Sequence, residues 1–186
     1  MKKILTIVGV LLSSLLLAGC SCTKMSATGA VKDFLDQYRN LSSSVLTDLE
    51  KVIAKESFND KQKEKYRDIL KKQYTDLKYE VTDESYDGDN AVVKTKISVY
   101  DLYKVQSEAA TYLTTHMDEF KNGAGSYDND KFLDYKLDQM KKNNNKVEYT
   151  INFNVIKGDK GNWKVKEITT SDLEKIHGIY NYDTEK

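Results

Sequence analysis

Hydrophobic and polar positions change their spacing several times along the chain, and each spacing predicts a different element. From residue 31 to residue 53, apolar residues recur every three or four positions, which predicts a long amphipathic helix. The run 42–44, three serines, interrupts this pattern and predicts a bend or a break. Asn59 and Gln62 stand at capping-box spacing and predict that a second helix starts near residue 59 or 60.

Alternation of apolar and polar residues replaces the helical spacing from residue 77. Two alternating runs, 77–81 and 91–99, flank the turn sequence at 87–90 and predict a β-hairpin. Helical spacing returns over about 101–121 and, after a loop rich in Gly, Asn and Asp, over a shorter stretch that ends near 142.

A second hairpin is predicted in the last third of the chain. Alternating apolar residues at 147–155 form its first strand, and a turn at 157–162 contains two glycines. The return strand begins at Trp163, with Ile168 as a candidate member. Ser171 and Glu174 stand at capping-box spacing and predict a short last helix.

The order of these elements, ααββααββα, predicts an α+β fold. Each hairpin has one apolar face, so each is expected to be half-buried. One curved antiparallel sheet of two hairpins, with helices packed on one face, satisfies both patterns. We therefore expect a single α+β domain over residues 28–186, since no linker or internal repeat divides that stretch.

The first nineteen residues have the layout of a secretory leader. A short basic start, Met1 to Lys3, precedes an apolar run from Ile4 to Ala18. This run is shorter than the roughly 20 residues that a permanent membrane span needs. Residues 1–19 are therefore expected to be a cleaved signal peptide, and residues 20–27 a short tether.

The end of the leader, Leu17-Ala18-Gly19-Cys20, resembles the lipobox of bacterial lipoproteins. The resemblance implies that the thiol of Cys20 receives a diacylglyceryl group and that a peptidase recognising residues 17–19 cuts before Cys20. Two alternatives remain: an ordinary cut after Cys20, which would place the small Ala18 three residues before it, or retention of the leader as a short anchor.

Lipidation would place the protein on the outer face of a bacterial membrane. Two acyl chains anchor a protein far more firmly than one. Cys22 is the only other cysteine, so with the Cys20 sulfur consumed it has no partner within its own chain. It is then a linker thiol, or it is acylated or paired between chains.

Charge and composition exclude some classes of partner. The chain has 29 basic and 29 acidic residues, and loss of Lys2 and Lys3 with the leader leaves 27 against 29, a net charge of −2. This balance is not that of a nucleic-acid-binding protein. Sequence motifs for a bound cofactor are also absent, so none is expected.

Two patterns of acidic residues resemble metal sites and are better explained otherwise. Residues 83–89 follow the first half of a calcium-loop register, but Lys94 stands where the bidentate glutamate belongs. Asp130, Asp134 and Asp138 share one helix face, for which a solvated surface is the expected explanation.

Aromatic residues provide the candidate binding site. Tyr79, Tyr149 and Trp163 fall on the apolar strand faces, and Tyr112 and His116 lie on the helix expected to cover them. Tyrosine suits a pocket that holds a ligand by apolar contact and a few hydrogen bonds, although plain packing explains the same pattern. His116 lies on the apolar side of its helix, which favours a partly buried, hydrogen-bonded side chain over a catalytic base.

A second resemblance concerns the domain itself. The opening amphipathic helix, the hairpin DGDNAVVKTKISV at 87–99 and the closing strand GNWKVKEI at 161–168 resemble small cystatin-like or NTF2-like domains of bacterial lipoproteins. This resemblance implies a cone of sheet and helix around a cavity. It implies no catalytic residue.

The preferred hypothesis is a non-enzymatic, lipid-anchored module that binds an envelope partner or a small ligand. The alternative is a small cell-envelope enzyme that uses His116 with a nearby tyrosine or carboxylate. A transporter-associated solute receptor is disfavoured, because one compact sheet leaves no room for two lobes that close on a ligand.

Overall fold

The structure, a computed structural model, describes residues 26–185 and is a mixed α+β fold. The α-helices are α1 Ala27–Arg39, α2 Ser43–Ala54, α3 Asp60–Thr75, α4 Leu102–Thr115, α5 Asn129–Lys142 and α6 Thr170–His177. The strands are β1 Lys78–Asp87, β2 Asn90–Tyr100, β3 Lys146–Lys157 and β4 Trp163–Val165, and two 3-10 turns span Met117–Phe120 and Tyr182–Glu185. Among the described residues, no helix has the length and apolar character of a membrane span.

The strands form one open antiparallel sheet in which spatial order follows chain order, β1-β2-β3-β4. Alternate residues of β2 and β3 are buried and exposed, as the period of two predicted. The buried face carries the core beneath the helices, and the other face is exposed. The prediction of an α+β fold with an antiparallel sheet is therefore confirmed.

Two turns lie together at one end of this sheet, which we call the turn end. Gly88, the first of the two central residues of the β1–β2 turn, has a positive φ, which glycine adopts without steric cost. The backbone N–H of Lys157, where β3 leads into the β3–β4 turn, donates to the carbonyl of Asp89 over 2.8 Å. The turn end is thus joined across the two middle strands.

The long helix predicted over 31–53 is two helices, with the break where the serine run indicated it. Leu41 adopts a left-handed φ of 48° between α1 and α2. Ser42 then caps α2, because its hydroxyl accepts a hydrogen bond from the backbone N–H of Val45.

The capping box predicted for α3 is confirmed. The Asn59 side chain accepts from the Gln62 N–H at 3.0 Å, and the Gln62 side chain accepts from the Asn59 N–H at 3.1 Å. Gln62 is fully buried, and its side-chain amide also donates to the carbonyl of Asp130 in α5 at 3.2 Å. The same glutamine therefore starts α3 and joins it to α5.

Three predicted boundaries are wrong. The helix expected to reach residue 121 ends at Thr115 and continues as the 3-10 turn. The cap of the last helix is Thr169, whose hydroxyl accepts from the Asp172 N–H, and not Ser171. Strand β4 ends at Val165, and Ile168 packs against the core outside the strand. At the last helix two residues with capping side chains, Thr169 and Ser171, lie close together, and spacing alone does not choose between them.

The core has two parts. The main cluster joins the inner face of the sheet to all six helices, with Leu102 and Val105 as its members on α4 and Leu137 and Met140 as its members on α5. A second, smaller cluster lies between α4, the 3-10 turn and α5, and its buried members are Ala109, Phe120 and Phe132.

Candidate functional site

The five residues of the predicted aromatic pocket do not meet in one place. Tyr79 and Tyr149 lie in the same row of the sheet, on either side of Ile97. The Tyr79 hydroxyl donates to Asp36 of α1 at 2.9 Å, and the Tyr149 ring meets Tyr180 edge-on at a centroid distance of 5.7 Å. Both rings therefore pack against neighbouring helices and the C-terminal segment.

Trp163 lies at the turn end of the same face. It stands opposite Lys157, which is eight residues along β3 from Tyr149, a separation of about 27 Å at strand spacing. Its ring meets Tyr86 of β1 edge-on at 5.3 Å. The shared-pocket prediction is wrong for Trp163, because alternation assigns a residue to a face of the sheet but not to a position along it.

Tyr112 and His116 lie away from these strand residues, in the second cluster. Since α4 ends at Thr115, His116 follows the helix and is exposed, contrary to the expectation of a partly buried histidine. Helical spacing placed it on the apolar side of a helix that does not extend so far.

The rings of His116, Tyr112 and Tyr135 lie face to face, and we call them the aromatic stack. His116 and Tyr112 are 3.8 Å apart with an interplanar angle of 5°, and Tyr112 and Tyr135 are 5.0 Å apart at 19°. Phe120 supports the stack by edge contacts with both tyrosines. Sequence reasoning missed Tyr135, although it follows the buried Phe132 by three residues and so shares its helix face.

A carboxylate orients the central ring of the stack. The Tyr112 hydroxyl lies 3.0 Å from both carboxylate oxygens of Glu119, and this hydrogen bond raises the pKa of Tyr112. Nδ1 of His116 lies 2.8 Å from the Thr115 hydroxyl and 3.2 Å from the Tyr112 carbonyl. The tyrosine is thereby held as a protonated donor, and the site presents aromatic faces and an edge of hydrogen-bonding groups.

A small cavity lies elsewhere, between α3, α5 and the junction of β2 with α4. Its volume is about 60 Å³, and Ile69, Tyr100, Leu102 and Met140 form its apolar wall. Two water molecules fill such a volume, whereas sites for small organic ligands measure about 300–1,000 Å³. This cavity contains none of the five predicted residues and is too small for a metabolite.

The acidic patterns do not form a metal site. Lys65 of α3 places its ammonium group 2.6 Å from Asp138 and 3.8 Å from Asp134, so a lysine already occupies the cation position. The expected solvated helix face is instead a contact between α3 and α5. The calcium-like register at 83–89 forms strand β1 and its turn. Across residues 26–185, no group of three or more His, Cys, Asp or Glu could hold a metal ion.

Leu17, Ala18, Gly19 and Cys20, the residues of the predicted lipobox, lie outside the described residues, as does Cys22. Comparison of the chain with protein-family models, curated proteins and solved structures finds no match.

Proposed function

We propose that the protein is an extracytoplasmic bacterial lipoprotein whose α+β domain is a non-enzymatic binding module for a partner protein of the cell envelope. In this proposal Cys20 carries the diacylglyceryl anchor, and Leu17, Ala18 and Gly19 direct the cleavage before it. The leader and its lipobox spacing support the anchoring and the location at the cell membrane.

The aromatic stack is the observation that favours a protein partner over a small ligand. His116 is exposed, Tyr112 and Tyr135 are half-buried, and Met117 beside them is also exposed, so the stack presents ring faces at the surface. Tyrosine and methionine are enriched in protein interfaces, where flat aromatic faces bury large areas at low entropic cost. The small size of the α3–α5 cavity points the same way.

We include in this proposal a cystatin-like or NTF2-like assignment of the domain. Helix α1 lies against all four strands of a twisted antiparallel sheet, which is the arrangement that the resemblance of the hairpin sequences implies. The inner face of the sheet is filled by Tyr79, Tyr149 and the other residues of the main cluster. In this assignment, side chains therefore occupy the place of the cavity that the resemblance implies.

Lipid anchoring is tested by the fate of the Cys20→Ala variant in detergent phase partitioning. The wild-type protein is expected in the detergent phase, because two buried acyl chains bind strongly. Cys20→Ala is expected in the aqueous phase or as uncleaved precursor, and Cys22→Ala serves as the matched control that leaves partitioning unchanged. A wild-type mature protein that stays aqueous would contradict the anchor.

Partner binding is tested by site-specific photo-cross-linking in intact cells. A photoreactive residue at Met117 is expected to give one discrete protein adduct, whereas the same residue at Thr150, exposed on the outer sheet face, gives none. Tyr135→Ala should reduce the Met117 adduct severalfold, because it removes a ring of the stack. Equal labelling from both positions would refute binding at the stack.

The envelope enzyme remains the second candidate, favoured by the contact of Tyr112 with Glu119 beside His116. Tyr112→Phe separates the two functions, since it removes the hydroxyl and keeps the ring. Binding through ring faces survives this change, whereas an activity that depends on the hydroxyl–carboxylate pair is lost. Loss of a cellular function in Tyr112→Phe with an unchanged Met117 adduct would favour the enzyme.

A further inference from the structure

The described chain begins at the turn end of the sheet. Ser26 caps α1, accepting from the Gly29 N–H at 3.0 Å, and Ala27 is fully buried. The hydroxyl of Thr28 donates to Glu84, near the end of β1. These contacts hold the first turn of α1 against the last residues of β1, so the N-terminal segment enters the domain there.

The tether is short in comparison with the domain. Cys20 precedes Ser26 by six residues, which reach at most about 21 Å when fully extended. Strand β2 alone, with its 11 residues, is about 36 Å long. An anchor on Cys20 therefore keeps the turn end close to the bilayer.

Exposed apolar side chains concentrate at that end. Of the five large hydrophobic residues that are exposed among the described residues, three lie within three residues of the turns: Tyr86 at 50% exposure, Val92 at 38% and Ile156 at 41%. The half-buried ring of Trp163 touches Tyr86 and adds a fourth apolar group. Tryptophan and tyrosine prefer the interface between lipid and water, where the ring is dehydrated and its polar edge is not.

Basic residues lie at one edge of the turn end. Residues 156–166, which we call the basic hairpin, contain Lys157, Lys160, Lys164 and Lys166 against one acid, Asp159, a net charge of four minus one, or +3. Two of these lysines have partners within the domain: Lys157 lies 3.9 Å from Asp89, and Lys166 donates to Asn90 at 2.9 Å. Lys160 and Lys164 are exposed.

Acidic residues mark the opposite edge of the same end. Asp83, Glu84 and Asp87 lie on β1, so charge is segregated across the sheet. An anionic surface attracts the β3–β4 edge and repels the β1 edge, which defines a tilt for the tethered domain.

We propose that the basic hairpin, with Ile156 and Trp163, docks on the anionic surface of the bilayer to which the lipid anchor holds the protein. The inference rests on the proposed lipid anchor and adds an orientation to it. Docking places Trp163 at the level of the lipid headgroups and turns the β1 edge away from the membrane.

The chain carries one tryptophan, so its fluorescence reports on the docking surface alone. The experiment uses lipidated protein purified from membranes and reconstituted into vesicles with bromine-labelled acyl chains, which quench only nearby tryptophan. Vesicles containing phosphatidylglycerol are expected to shift Trp163 emission to shorter wavelength and to quench it. Vesicles of phosphatidylcholine alone should give severalfold less quenching, because the attraction of the lysines is lost.

Charge reversal provides the matched comparison. The double variant Lys160→Glu/Lys164→Glu should lower the ratio of docked to undocked domain about tenfold or more, since each basic residue near an anionic surface contributes about fivefold. The control Lys78→Glu/Lys142→Glu reverses two exposed lysines at the other end of the sheet and of α5, and leaves quenching unchanged. Equal thermal unfolding of the two double variants checks that both fold.

The possible results distinguish a failure of membrane docking by the basic hairpin from a failure of the lipid anchor. Protein that floats with the vesicles while Trp163 stays unquenched retains the anchor and overturns the docking. Quenching that is the same in neutral vesicles or in Lys160→Glu/Lys164→Glu also overturns it, because the basic hairpin then has no role. Protein that does not float with the vesicles overturns the lipid anchor itself.

Discussion

Gly178 ends α6 in the left-handed conformation, with φ +72°, at the point where three parts of the chain meet. The buried side chain of Gln73 donates to the Tyr100 carbonyl at 3.2 Å and accepts from the Tyr100 N–H at 3.0 Å. A Cβ on residue 178 would lie 2.1 Å from the Tyr100 carbonyl oxygen and 2.2 Å from the Gln73 amide nitrogen. Only glycine therefore lets α6 pack against α3 and the end of β2.

Gly178→Ala should accordingly lower the free energy of unfolding by more than about 3 kcal/mol, because it adds a backbone clash to the cost of the left-handed conformation. Gly125→Ala is the matched control: φ is +79°, but nothing lies within 4 Å of the added carbon. Its expected cost is about 1–2 kcal/mol, from conformation alone. Urea denaturation measures both, and equal losses would show that the close approach at Gly178 is not limiting.

The neighbouring His177 makes stability depend on pH. Burial lowers its pKa to about 4, and its Nδ1 lies 3.2 Å from the Tyr74 hydroxyl. The folded pKa is below the unfolded value of about 6.5, so the unfolded state takes up the proton first as pH falls. This contribution to stability is complete above about pH 6.5 and is lost as pH falls towards 4.

Between pH 6.5 and pH 4.5, the free energy of unfolding of His177→Gln should therefore fall by about 2 kcal/mol less than that of the wild type. This value follows because a shift of one pKa unit corresponds to about 1.4 kcal/mol. Chemical denaturation at a series of pH values measures the difference. His116→Gln, at the exposed histidine, is the control and should keep the wild-type slope. Identical slopes in all three proteins would mean that folding does not lower the pKa of His177.

At the scale of elements, the starts of α3 and α6 show when local sequence is enough to predict a helix cap. The capping box of α3 was predicted in full, because a cap and the residue three positions later form their bonds within one turn. The start of α6 was misassigned by two residues, because Thr169 and Ser171 both lie three residues before a carboxylate. In the structure Thr169 is the cap: its hydroxyl accepts from the Asp172 N–H at 3.1 Å and donates to the Asp172 carboxylate at 2.8 Å.

Asn59→Ala should lower the free energy of unfolding by about 1 kcal/mol, the usual value of a helix N-cap. The substitution removes the bond that the Asn59 side chain accepts from the Gln62 N–H. The backbone N–H of residue 59 remains and can still donate to the Gln62 side chain, which also keeps its contact with Asp130. Thermal or urea unfolding measures it, with Ser57→Ala, two residues earlier and exposed, as a control within about 0.5 kcal/mol of wild type. A loss below that of the control would indicate that α3 starts without help from its cap.

The strands were easier to predict than the pocket that they were expected to line. Alternation identified the inner face of β2 and β3 residue by residue, because the side-chain period of a strand is two. The same alternation does not predict at which position along the strand a residue lies, or which residues are its neighbours on adjacent strands. Alternation therefore placed Trp163 on the correct face of the sheet but next to the wrong residues. Its pairing with Lys157 in the structure places it at the turn end.

For the whole molecule, the separation of the two hydrophobic clusters predicts uneven local stability. The main cluster extends over both central strands and takes buried residues from all six helices, whereas the second cluster has three buried members, between α4, the 3-10 turn and α5. Regions with fewer buried contacts open at lower free energy than the core. The aromatic stack thus lies on the part of the fold that opens first.

Phe132→Ala should raise amide hydrogen exchange in α4, the 3-10 turn and α5 and leave β2 and β3 protected. Phe153→Ala, in the main cluster, should raise exchange throughout the domain, because its loss of about 3–5 kcal/mol lowers global stability. Mass spectrometry of exchanged peptides measures both variants. Uniform deprotection by Phe132→Ala would show that the two clusters unfold as one unit.

What the sequence determined by itself was local: which stretches form helices and which form strands, the buried face of β2 and β3, and the capping of α3. All of these depend on residues within a few positions of one another. Only the tertiary structure decided which aromatic rings meet, because the stack of His116, Tyr112 and Tyr135 joins two helices and the turn end joins β1 to β4. Such contacts form between residues far apart in the chain, and they depend on packing geometry that no local spacing records.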